Sequence, residues 1–271
     1  MDGAYEVITA TEVTRGEVNE AHMMLGLVDS HQQNTERRVE TVVADSKYGT
    51  IGNYLGCYDR GIRGHIPDLK EVQNDRRRRE GIFSDDMFIY DKETDTYTCP
   101  VGKRLRRKSL HINRQSMDYA ALRSDCRVCD LRPQQCTRNK AGRTVKRHLR
   151  QEELDYMRAL AKSTLSRSDI RLRQHLMERS FARAKRYGYD RARWRRLWRV
   201  RIQEYLTAAI QNIQILLKYG PDPRIAVGVA KVDRELNGKI TGVFKSINKS
   251  LLEFFLLFKS EVELYLVLKT S

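Results

Sequence analysis

The chain has 271 residues, enough for one large domain with an insertion or for two domains, and too many for a single small module. With 51 Lys and Arg against 35 Asp and Glu, the formal net charge is +16 and the pI about 9.8. That excess favours a polyanionic partner, because basic side chains that neutralise phosphates release counterions, although ribosomal or membrane-surface binding would also suit it. No charged-then-apolar leader and no run of about 18 uncharged apolar residues is found, so the expectation is a cytoplasmic protein that does not span a membrane.

In chain order, Tyr5–Thr14 is rich in β-branched residues between Asp2-Gly3 and Arg15-Gly16 and predicts a strand. From Val18 to about Gln32, Ala21, Met24, Leu25 and Val28 recur at helical spacing. Arg38–Ala44 then predicts a short strand, residues 50–60 a helix and residues 62–66 another strand. Asp45 follows the first of these strands. In such an α/β unit the carboxyl end of a strand is where ligands bind, while an Asx-turn leading into Gly49 is the structural alternative.

The composition changes from Pro67 to about Ser166. Arg76–Arg79 read either as a solvated basic loop or as phosphate contacts, and Phe88–Cys99 as a hairpin. Cys126 and Cys129 form the C-x-x-C half of a tetrahedral zinc site, with Cys99 and Cys136 able to complete it. Reduced structural thiols are the alternative. Cys57, isolated on a predicted helix, is expected to be a small buried hydrophobe. Residues 151–161 predict a helix.

Two consecutive helices follow. In the first, Met177, Phe181 and Ala184 form one stripe while Arg179, Arg183, Lys185 and Arg186 spread over the rest. Glu178 is the lone acid there, either an ordinary ion-pair partner or a functional carboxylate. It stands seven residues, two helical turns, before Lys185, so a metal could sit at one end of that face and a phosphate at the other. His175, one turn before Glu178, is expected to face solvent rather than line a site. Gly188 should break the helix and Asp190 cap the next, whose Leu206, Ala209, Ile210, Ile213, Leu216 and Leu217 repeat like a buried face. Beyond residue 220, residues 251–258 and 262–268 are apolar but interrupted by charge. They predict a packing or self-association helix, and a homodimer is compatible with that reading.

Several of these stretches resemble one family. Glu6-Val-Ile-Thr-Ala-Thr-Glu-Val-Thr, Val18-Asn-Glu-Ala-His, Asp29-Ser-His-Gln-Gln-Asn-Thr and Val43-Ala-Asp-Ser-Lys-Tyr-Gly-Thr are similar to the core of bacterial insertion-sequence transposases of the DDE class. Met177-Glu-Arg-Ser-Phe-Ala with Lys185, then Arg191-Ala-Arg-Trp and Ala208-Ala-Ile-Gln-Asn-Ile, resembles that family's last block. The similarity spans most of residues 2–219. It implies an α/β, ribonuclease-H-like mixed sheet flanked by helices, with the first part of the core in residues 1–70 and a basic, cysteine-containing insertion in 71–165. The C-terminal helices of the core would occupy 166–219, followed by a tail of uncertain structure in 220–271.

The resemblance also implies DNA transposition by metal-dependent phosphodiester hydrolysis and strand transfer. Asp45 and Glu178 would be catalytic carboxylates holding Mg2+ or Mn2+, and Lys185, Arg179, Arg183, Arg186 and Arg193 would contact the DNA of transposon ends. The family's first catalytic aspartate lies on a strand upstream of the point matched by Met1. The expectation is therefore a truncated, weakly active or inactive piece, or a non-catalytic DNA-binding protein that occupies transposon ends.

Overall fold

The structure, a computed structural model, describes residues 1–220 and 263–265. Among the described residues, 6–15 belong to no strand, contrary to the strand expected at 5–14. Among the described residues no strand lies alongside to complete a ladder, and side chains bond this backbone instead. Asn212 accepts from the Ile8 N–H (2.7 Å) and donates to its carbonyl (2.8 Å), and Asn34 donates to the Thr9 carbonyl.

Asn19 caps a 3-10 turn (Glu20–Met23) that leads into α1 (Met24–Thr35). β1 (Thr41–Val43), α2 (Ile51–Asp59) and β2 (Arg63–His65) follow, with Thr50 capping α2 through the Asn53 N–H. β1 and β2 are parallel, Val43 opposite His65. Alternation along β1 decides the layering: Val42 and Ala44 pack with Met24, Val28, Tyr54 and Met157, whereas Val43 packs with Leu176 and Met177. Helices therefore cover both faces of the parallel pair, and Cys57 is fully buried in the larger core as expected.

α3 (Leu69–Arg79) contains the run read as a basic loop. The correction has an electrostatic reason. Arg76, Arg77 and Arg78 sit in the last turn, where positive charge complements the helix dipole, and they pair with Glu80, Asp85, and Asp75 and Asp86 respectively. A five-stranded antiparallel sheet then forms in chain order from β3 (Ile89–Asp91), β4 (Thr96–Thr98), β5 (Arg104–His111), β6 (Ser116–Ala121) and β7 (Thr144–His148). Its core is small: Phe88, Tyr97, Leu105, Tyr119 and Val145. Between β6 and β7 come the short helix α4 (Arg123–Arg127) and a π-turn (Arg132–Cys136).

α5 (Gln151–Ala161) returns the chain to the parallel unit, α6 (Thr164–Arg186) crosses the other face of β1, and α7 (Leu197–Tyr219) packs on α6. α7 buries a different face from the one expected. Gln203, Thr207, Ala208, Gln211 and Ile215 are buried, whereas Leu206, Ile210, Ile213 and Leu217 are exposed. The partners explain the inversion, because α7 lies against backbone that needs hydrogen bonds. Gln203 donates to the Gly188 and Arg191 carbonyls and accepts from the Arg193 N–H, and Gln211 accepts from Ser180. Nor does Asp190 cap α7, which begins at Leu197 with Arg196 (φ 78°) before it, since residues 188–193 are held by Gln203. β8 (Glu263–Tyr265) lies parallel to β1 on the side away from β2, where a helix was expected; the rest of residues 251–268 lies outside the described residues.

Candidate active site and nucleic-acid interface

Asp45 stands two residues beyond the end of β1 and makes the Asx-turn that the sequence offered as an alternative. Its Oδ1 accepts the Lys47 N–H at 2.9 Å, capping the 3-10 turn Ser46–Tyr48. Its Oδ2 lies 3.8 Å from Nη2 of Arg173, a side chain of α6 that is only 13% exposed. Burial lowers the Arg173 pKa, and the Asp45 and Tyr48 side chains oppose that shift.

Three further groups adjoin Asp45. Lys47 reaches Glu20 at 2.8 Å, and that contact raises its pKa. Tyr48 is buried, and its hydroxyl has no hydrogen-bond partner among the described residues. Burial, then the charges of Glu20 and Asp45, push its pKa up. On β2, His65 Nδ1 is 2.5 Å from Oδ2 of Asp169, a buried pair that ties the parallel strands to α6. None of Arg173, Glu20, Lys47, Tyr48, His65 or Asp169 was singled out from sequence. Ser166, Asp169, Arg173 and Ser180, spaced by three, four and seven, form a polar stripe along α6 that could have pointed to some of them.

Glu178 lies five residues beyond Arg173, roughly 140° around the helix and about 7.5 Å along it. It is exposed and accepts from Gln174 Nε2 at 3.2 Å. Arg173, rather than Glu178, is thus the α6 side chain that forms an ion pair with Asp45. His175 is exposed, as expected. Both carboxylates are hard oxygen donors, chemically suited to Mg2+. Among the described residues, however, no group of three or more His, Cys, Asp or Glu side chains is arranged to hold a metal ion.

The basic end of α6 divides into two sets. Arg179 and Arg183 both clamp the buried carboxylate of Glu6, so their charge is partly neutralised within the chain. Lys185, Arg186, Arg191 and Arg193 line an open polar cleft of about 680 Å³. Gly188 shapes it: its φ of 74° is one that residues with a Cβ rarely adopt, and the Arg193 guanidinium lies against it. Trp194 and Trp198 are half-exposed beside the cleft residues.

The four cysteines singled out from spacing meet at one small cavity of about 30 Å³, lined also by Phe83, Phe88 and Leu105. They are free thiols.

Residues 98–217 match the family model described as Transposase DDE domain. That match supports a DDE-class transposase. No curated protein and no solved structure matches the chain. This transposase domain takes in β5–β7, the cysteine cavity, Glu178 and the basic cleft, while Asp45 lies outside the matched residues. The α/β layering is that of a ribonuclease-H-like fold, in line with the resemblance. Among the described residues, no helix is long and apolar enough to cross a membrane.

Proposed function

We propose that this transposase acts on the DNA of transposon ends by metal-dependent phosphodiester hydrolysis and strand transfer. The observation that carries the reading is the cleft lined by Lys185, Arg186, Arg191 and Arg193, inside the matched transposase domain and continuous with the helix that bears Glu178. A bound divalent ion would polarise the phosphodiester and activate a water or 3′-hydroxyl. In this chain Asp45 and Glu178 would hold it through carboxylate oxygens. Lys185 and the cleft arginines would grip phosphates, and Trp194 and Trp198 would offer faces for unstacked bases.

A second reading, a DNA-binding protein that occupies transposon ends without cutting them, is favoured by one contact: the α6 group paired with Asp45 is Arg173. Cleavage would require Arg173 to yield its place to a cation and Glu178 to turn towards Asp45. Binding needs neither change. The deciding experiment compares binding and nicking of transposon-end DNA in Mg2+ or Mn2+ by the chain and by its Asp45→Asn and Glu178→Gln variants. All three should bind, and nicking by the chain should be weak. Nicking abolished by both substitutions would establish the catalytic reading, binding with no metal-dependent nicking the second, and loss of all DNA binding at low salt would end both.

A further inference from the structure

We propose that Cys99, Cys126, Cys129 and Cys136 are the four ligands of one structural zinc ion. Three separate turns deliver them to one place. Cys99 opens a tight turn after β4, closed by hydrogen bonds from the Gly102 N–H to the Cys99 carbonyl (2.8 Å) and from the Cys99 N–H to the Lys103 carbonyl (2.9 Å). Gly102 adopts φ 80° there. Cys126 is on α4, Cys129 two residues past its end, and Cys136 at the end of the π-turn. Although 37 positions separate the first from the last in sequence, all four line the same cavity.

Backbone amides lie against two of these sulfurs. The Lys103 N–H donates to Cys99 Sγ at 3.3 Å, and the Arg143 N–H donates to the Cys126 thiol. Such amide donors orient sulfur that ligates a metal. Gly142 at φ 92° lets the backbone run against Cys126, where a Cβ would come within 2.8 Å of Sγ. Arg132 and Arg143 donate to the Cys126 and Cys136 carbonyls, fixing the ligand-bearing turns from outside.

Ligand type chooses the ion. The cavity is small and all four cysteines line it. Thiolates select soft or borderline metals over Mg2+ and Ca2+, and four of them in tetrahedral array suit zinc. With four protein ligands no position is left for substrate, so the role is structural. Among the described residues no three such side chains are already set to hold a metal ion, so binding one requires the four thiols to draw together. The gain falls where the chain needs it. The antiparallel sheet has five core hydrophobics, none of them between β6 and β7, and the ion would pin that connection to the β4–β5 turn.

The test uses the full chain purified under reducing conditions. Metal analysis should give about one zinc per chain, with the four cavity thiols shielded from a thiol reagent until a chelator is added. Cobalt substitution should give the intense visible absorption of a tetrahedral thiolate site. Cys126→Ser and Cys136→Ser should lose most of the metal, and Cys57→Ala should keep it. Should the serine variants fail to fold, the unmodified chain's stoichiometry and cobalt spectrum decide. Folded chain that takes up no zinc even after zinc is added, carries iron instead, or pairs these cysteines as disulfides under those conditions would overturn the assignment.

Discussion

His31, on α1, is 1% exposed and turns towards the N-terminal segment, with Nδ1 2.7 Å from the Thr9 hydroxyl. Burial first, then nearby positive charge including Arg37, lowers its pKa to about 4. An unfolded chain would protonate this ring near pH 6.5, so between those values the unfolded state binds more protons and stability rises with pH. Stability should fall by on the order of 3 kcal/mol between pH 7 and pH 4 from this group alone. Urea melts across that range should show the slope, and His31→Gln should flatten it; an unchanged slope in the variant would assign the acid sensitivity elsewhere. At the same scale, Asp45 shows why a motif identifies a residue but not its neighbour. Its place after β1 follows from a run of β-branched residues, whereas contact with Arg173 depends on which side of α6 meets the sheet.

At the scale of elements, α7 carries the larger lesson. Its apolar residues repeat at helical spacing and predict a buried stripe, yet the buried stripe is polar, because Gln203 and Gln211 serve groups on the 188–193 segment and α6. Gln203→Leu should leave the Arg193 N–H and two carbonyls without their partner, costing about 1–3 kcal/mol. It should also weaken DNA binding, although it removes no charge, because the cleft segment loses its anchor. Gln211→Leu should lower the melting temperature alone. Equal effects of the two on DNA affinity would separate Gln203 from the cleft. The link between β2 and α6 is a further element-scale contact: Asp169→Ala leaves the buried His65 ring without its hydrogen-bond partner and should cost about 1–3 kcal/mol in urea unfolding. A loss below about 1 kcal/mol would mean that the pair adds little to holding α6 on the sheet.

At the scale of the whole molecule, the +16 charge overstates what is available to DNA, because many arginines are paired within the chain. Among the described residues, the cleft is a place where basic side chains gather with few such partners. DNA affinity should fall steeply with salt, and Lys185→Ala should weaken binding and reduce the slope of log affinity against log salt by about 1. Arg78→Ala, in the paired run of α3, should leave that slope unchanged. A larger effect from Arg78 than from Lys185 would move the interface to α3.

The sequence by itself determined the features that depend on local periodicity and spacing. These include α5 at residues 151–161, a helix near residues 50–60, the β3–β4 hairpin, the break at Gly188 and the set of cysteines that share a cavity. Backbone hydrogen bonds within helices and hairpins join residues close in sequence, so their signals are local. Its family motifs likewise pointed to the transposase domain matched at 98–217. Only the tertiary structure decided which face each helix buries, that residues 6–15 stay out of a sheet, that Arg76–Arg79 close a helix, that β8 lies beside β1, and that Arg173 is the partner of Asp45. In each case the outcome depends on a surface contributed by a distant segment: a carbonyl that needs a donor, an edge that needs a strand, or a carboxylate that needs a cation. No pattern within one helix or strand encodes what the segment packed against it will require.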